Sequence, residues 1–163
     1  MRTAVLTVST SLAAGRGEDR SGPALAELAT AAGAEVVVTE TLSDDAAAIE
    51  AALRRLSTHD ADISLIFTTG GTGLTPDDVT PEATRAVIDR DAPGFAEAMR
   101  AASLRHTPLG ILTRGVSGIA GRTLIVNFPG NPKAIHQLFG VIAPTLPHVV
   151  QTLRRDHGAA GGH

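Results

Sequence analysis

The chain has 163 residues, 43% of them hydrophobic, which is the length and apolar content of one domain with a sizeable core. A formal net charge of -3, no Trp, no Tyr and four Phe leave neither a basic stripe nor stacking platforms, which argues against general nucleic-acid binding. The absence of cysteine excludes disulfides, thiolate catalysis and Cys-ligated zinc.

Ala4 to Val8 predicts a first buried strand, running into Ser9-Thr10-Ser11 and a polar loop with Gly15, Gly17, Glu18, Asp19 and Arg20. Residues 17–22 have the glycine spacing of a P-loop, but Pro23 and Ala24 stand where that motif requires Lys and Ser/Thr, so this is not a Walker A motif. Ser21 or Gly22 caps a helix whose apolar face is Leu25, Leu28, Ala29 and Ala32, with Gly33 as its stop. The β-branched run 35–39 predicts a second strand. After it, Ser43 or Asp44 is a natural N-cap for a helix burying Ile49, Leu53 and Leu56. Asp44 is thus read first as a cap. It also follows a strand, and in open parallel sheets the carboxyl ends of strands border the ligand crevice, so Asp44 is also placed to share a pocket with Asp78.

The organising stretch is residues 63–83. An apolar run too short for a helix ends at Thr69-Gly70-Gly71-Thr72-Gly73, then come Asp77 and Asp78, then a helix start at Thr80-Pro81. Glycines at these positions permit φ > 0 and close approach of a ligand to the amides, and successive amides in such a turn form an anion site. Thr69 and Thr72 add hydroxyls, and Asp78 offers the oxygen ligands that Mg²⁺ prefers, so phosphate and metal are expected together. A plain tight exit from a buried strand would use the same glycines. Thr80 is expected to cap, and Pro81 to open, the next helix.

A further helix follows Pro93-Gly94, with Phe95, Met99 and Ala102 spaced for burial. His59, His106, His136 and His148 fall in no HxxxH or HExxH spacing, so no metal is placed on imidazole. Residues 115–119 and 122–126, joined through Ala120-Gly121, predict a β-hairpin. Asn127-Phe128-Pro129-Gly130-Asn131-Pro132-Lys133-Ala134 is again a strand end, a glycine turn, an Asn cap and a proline at the first helical position. Lys133 in that first turn opposes the helix dipole at a cost of about 0.3–1 kcal/mol, which an anionic ligand would reverse and which a solvated lysine would tolerate. The helix buries Ile135, Leu138, Phe139 and Ile142, and Pro144 and Pro147 break the chain before Leu146, Val149, Val150 and Leu153. Alternating strands and helices imply an α/β layer fold with a mostly parallel sheet, spanning about residues 1–156, with 157–163 as a frayed tail. No apolar segment reaches the roughly 18 residues of a bilayer span, so a soluble, cytoplasmic protein is expected.

Thr69-Gly70-Gly71-Thr72-Gly73 followed by residues 78–83 resembles the signature of the MoaB/Mog family of molybdenum-cofactor biosynthesis proteins. The likeness extends in order to Val8-Ser9 with residues 19–23, to Asp44-Asp45 and to residues 127–134, covering about residues 2–155. It implies a three-layer α/β/α molybdopterin-binding fold, a homo-oligomer (trimer, or hexamer as a dimer of trimers), and an ATP- and Mg²⁺-dependent molybdopterin adenylyltransferase. A molybdenum-insertion protein is a further implied partner. The positions matching the family's functional residues are Asp44 and Asp78, for catalysis and metal binding without deciding which contacts Mg²⁺. Thr69, Gly70, Gly71, Thr72 and Gly73 match its phosphate or pterin cradle, and Ser9, Ser21, Asn127, Pro129, Gly130 and Lys133 match the rest of its pocket. Thr10 stands where many members have aspartate, and Asn131 where serine is frequent. A non-catalytic molybdopterin- or nucleotide-binding paralogue is the alternative the fold also hosts.

Overall fold

The computed structural model describes residues 1–155, so the tail expected from 157 onward lies outside the described residues. Six strands form one sheet: β1 (Arg2–Val8), β2 (Glu35–Leu42), β3 (Leu65–Thr69), β4 (Arg90–Asp91), β5 (Ser117–Ala120) and β6 (Thr123–Phe128). Their order is β2-β1-β3-β6-β5-β4. β1 pairs in parallel with both β2 and β3, and β3 with β6, whereas β5 runs antiparallel to β6 and β4 to β5. The expected hairpin is the β5–β6 pair, turned at Gly121 with φ +59°.

Period-two alternation divides the core into two apolar layers. Val5, Leu65, Phe67, Leu124, Val126 and Phe128 project to one face, covered by α2 (Ser21–Ala31), α5 (Gly94–Leu104), α6 (Pro132–Ile142) and α7 (Leu146–Leu153). Ala4, Leu6, Val8, Ile66 and Ile125 project to the other, covered by α3 (Ala46–Leu56) and α4 (Thr80–Val87). This is the expected three-layer α/β/α arrangement with a mostly parallel sheet. On the first face Phe67 meets Phe128 and Phe139 edge-on at centroid distances of 5.6 and 5.7 Å, the arrangement that ring quadrupoles favour.

Strand order reverses at β1: the chain goes from β1 to β2 on one side, then crosses to β3 on the other. The carboxyl ends of β1 and β3 therefore flank a topological switch point, where a crevice opens in sheets of this type. The loops after β1, β2, β3 and β6 all leave the sheet at that edge.

Three expected caps are corrected. The helix α3 is capped by Asp45, whose carboxylate accepts from Ala47 N at 2.9 Å, and not by Ser43 or Asp44. Neither Ser21 nor Gly22 caps α2 through its side chain. Asp19 accepts from Gly22 N at 3.0 Å and from the Thr7 hydroxyl at 2.7 Å, tying the helix start to β1. At α4 the Thr80 hydroxyl donates to Gly70 O at 3.0 Å, because it is buried under the glycine turn and not free to turn toward the helix amides. The short helix α1 (Thr10–Ala13), capped by Ser9, was not anticipated.

Candidate active site

Two glycine turns lie back to back at the switch-point edge. Gly70 (φ +97°) and Gly71 (φ +66°) occupy the left-handed region, and a Cβ on Gly70 would stand 2.4 Å from Val8 O, so β1 itself forbids a side chain there. The second turn crosses so closely that a Cβ on Gly130 would lie 3.3 Å from Gly70 Cα. Hydrogen bonds lock the two together: Thr69 Oγ1 donates to Pro129 O at 2.8 Å, Gly70 N to Phe128 O at 3.2 Å, and Ser21 Oγ to Gly130 O at 2.8 Å. Asn131 caps α6 through Lys133 N at 2.9 Å, as expected.

The carboxylates flank this double turn. Asp44 Oδ2 accepts from the amide and the hydroxyl of Thr10 at 2.8 and 3.0 Å, and Asp44 N donates back to Thr10 Oγ1 at 3.0 Å. Its other oxygen, Oδ1, stands 3.4 Å from where a Cβ on Gly71 would be. Thr10 thus anchors Asp44 through both amide and hydroxyl. Asp78 Oδ2 accepts from the hydroxyl and the amide of Thr75 at 2.7 and 2.9 Å, and lies 2.8 Å from a Cβ placed on Gly73. The Thr75 hydroxyl holds the Asp78 carboxyl below its ordinary range, against the opposing effect of burial, and the amides of Thr75 and Gly73 and the charge of Arg114 act in the same lowering direction.

Other site candidates have different roles. Asn127 is 2% exposed, with Oδ1 accepting from Val116 N and Nδ2 donating to Thr68 and Thr84 hydroxyls, each near 3 Å. Both amide hydrogens and one oxygen lone pair of this side chain are therefore used inside the protein. Thr72 is buried, and its carbonyl accepts from Arg114 N at 2.8 Å. Lys133, Pro129 and Asn131 border a depression of about 380 Å³ shared with His106, Thr107 and Thr113. A larger cavity of about 630 Å³ opens at the opposite sheet edge, beside Ile63, Ser64 and Thr123, away from both glycine turns.

Sequence reasoning missed Arg114 and Glu82. The guanidinium donates to Gly73 O at 2.8 Å, to Asp78 O at 2.6 Å and to the Glu82 carboxylate. The hydrogen bond from Arg114 holds Glu82 below the usual carboxylate range, and Glu82 in turn raises the guanidinium further. Contacts over 41 and 36 positions carry no local sequence signal.

For Mg²⁺ the donor set is chemically apt: two carboxylates beside threonine hydroxyls, all oxygen, with no soft ligand. Among the described residues no group of three or more His, Cys, Asp or Glu forms a complete protein cage. An ion that takes one or two carboxylates and completes its shell with phosphate oxygens and water needs no such cage.

An open, mainly parallel sheet with paired glycine turns and two carboxylates at its switch point defines an α/β domain whose crevice lies at the carboxyl ends of its strands. The family model described as "Probable molybdopterin binding domain" matches residues 4–148. The chain belongs to that family. It is 41% identical over 139 residues to an Escherichia coli K12 protein named molybdopterin adenylyltransferase, covering 84% of this chain and 71% of that one. It is 37% identical over 153 residues to the Drosophila melanogaster molybdenum cofactor synthesis protein cinnamon, of whose length it spans only 25%. The solved structure of the molybdopterin biosynthesis enzyme MoaB from Thermus thermophilus superposes with a TM-score of 0.86 at 41% identity, covering 93% of this chain and 95% of that one.

Proposed function

We propose that the chain is a molybdopterin adenylyltransferase of molybdenum cofactor biosynthesis, using ATP as co-substrate and Mg²⁺ as cofactor. The observation that carries this reading is that the Asp44 carboxylate stands beside Gly71 and the Asp78 carboxylate beside Gly73 of the same glycine turn. Homologues named for this activity support it.

In the reaction an oxygen of the terminal phosphate of molybdopterin bonds to the α-phosphorus of ATP. The bond from that phosphorus to the oxygen bridging to the β-phosphate breaks, and pyrophosphate leaves with the electron pair. Such transfers need in-line positioning and charge neutralisation more than covalent help from the protein. The turn at Gly71 to Gly73 cradles phosphate groups, and the Pro129-Gly130 turn with Lys133 bounds the cleft and adds positive charge. Ser21 fixes that second turn and Ser9 the first loop. Asp44 and Asp78 would hold Mg²⁺, which when bound neutralises triphosphate charge. The Thr75 hydroxyl favours the charged form of Asp78 that such a role requires.

The test compares Asp78→Asn and Asp44→Ala with the unsubstituted protein for adenylyl transfer and for molybdopterin affinity. Transfer falling by orders of magnitude while pterin affinity stays close to wild type is the expected result. Equal loss of both would overturn the metal-positioning roles.

We also read the domain as a homo-oligomer, trimer or hexamer. Leu109 and Ile111 are 65% and 67% exposed, and Leu104 and Leu112 are exposed as well, apolar surface that an assembly would cover. Among the described residues no helix is long and apolar enough to cross a membrane.

A further inference from the structure

Arg114 lies on the strap before β5, outside any helix or strand. Buried Asn127 registers that strap: Val116 N donates to Asn127 Oδ1 at 3.1 Å, and Asn127 N donates to Val116 O at 3.0 Å. Arg100 adds a donor to Gly115 O at 2.8 Å. The strap is therefore fixed to β6 and α5 before Arg114 contributes anything.

From that base Arg114 gathers the loop that carries Asp78. Its amide donates to Thr72 O, Nε to Gly73 O and Nη2 to Asp78 O, at 2.8, 2.8 and 2.6 Å. Carbonyls at both ends of the 72–78 loop thus converge on one residue, whose side chain is 35% exposed. Glu82, from the first turn of α4, fixes the plane of the guanidinium. Within the closed loop the Asp78 carboxylate meets Thr75 and faces Gly73. Planar donors in a rigid fork suit this task, and a lysine head group cannot reach the two carbonyls and the carboxylate together.

We infer that Arg114 is the positioning residue for Asp78, with Asn127 as the anchor of its strap and Glu82 as its orienting partner. Arg114 touches no reacting atom; it sets where the Asp78 carboxylate stands relative to the glycine turn. The kinetic consequence rests on the adenylyltransferase reading, whereas the brace itself does not.

The experiment uses the full chain and two readouts. With ATP, Mg²⁺ and molybdopterin, Arg114→Gln should lower kcat about 10–100-fold, the cost of a carboxylate displaced by about an ångström, while KM for molybdopterin changes little. Arg114→Lys should recover little of that loss. Independently of activity, amide hydrogen exchange of residues 72–78 should quicken about tenfold or more in Arg114→Gln, with β3 and β6 amides unchanged. Unchanged kcat, a loss confined to KM, full recovery by lysine, or unchanged exchange would each overturn the inference. If the unsubstituted protein makes no adenylylated product, the adenylyltransferase reading fails and the exchange result alone decides the brace.

Discussion

Neighbouring aspartates at the end of β2 divide two tasks that the sequence leaves undivided. Asp45 faces its own helix, whereas Asp44 turns across the crevice to Thr10 and the Gly71 backbone. Which of two adjacent residues becomes the cap depends on where the backbone enters helical φ and ψ, and residue type does not encode that to one position. The internal partners of Asn127 are hidden in the sequence for a related reason: Thr68 and Thr84 lie 59 and 43 positions away, so its part in a buried hydrogen-bonded brace leaves no local pattern. The carboxylates around Arg114 also predict an acid response. The folded pKa values of Asp78 and Glu82 are lowered from ordinary values of 3.8 and 4.5, so their contribution is fully present above those values and is lost as pH falls through the lowered ones. Thermal stability should decline as the pH drops below about 4.5, and Glu82→Gln should flatten that decline. An identical acid profile in the variant would mean that the Arg114–Glu82 pair contributes nothing in solution.

Helices and strands were legible wherever a periodic apolar face was long enough to read. β1, β2, β3, the β5–β6 hairpin and the helices bearing Leu25, Ile49, Met99 and Ile135 all stand close to where periodicity puts them. The four-residue α1 and the two-residue β4 escaped because a span that short carries no periodicity. The start of α3 offers a test that separates scaffold from site. Asp45→Ala should cost about 0.5–2 kcal/mol of stability, by loss of the N-cap, and leave turnover intact. Urea unfolding with parallel assays checks this, and a turnover loss in Asp45→Ala as large as in Asp44→Ala would dissolve the distinction between the two.

The sequence implies a mostly parallel α/β sheet but not its strand order, because nothing local states that β6 pairs with β3 across the intervening 53 residues between Thr69 and Thr123. That pairing matters most for function, since it brings the Pro129-Gly130 turn against Gly70 and closes the double turn. The glycines, the proline turn and the two aspartates were recognisable one by one. Their convergence, and the Arg114 brace beneath them, exist only in three dimensions. The exposed apolar side chains Leu104, Leu109, Ile111 and Leu112 belong to the same scale. Sedimentation equilibrium should show a trimer or hexamer, and a monomer at concentrations well above those of the assay would contradict the assembly proposed for it. The proposed reaction in this crevice joins adenylate to molybdopterin. It is tested most directly by supplying purified protein with ATP, Mg²⁺ and molybdopterin, following pyrophosphate release, and detecting the adenylylated pterin by mass, with Asp78→Asn alongside. Product that is lost in the variant is the expected result; tight pterin binding with no product from either protein would rule out the adenylyltransferase and mark the chain as a non-catalytic binding protein.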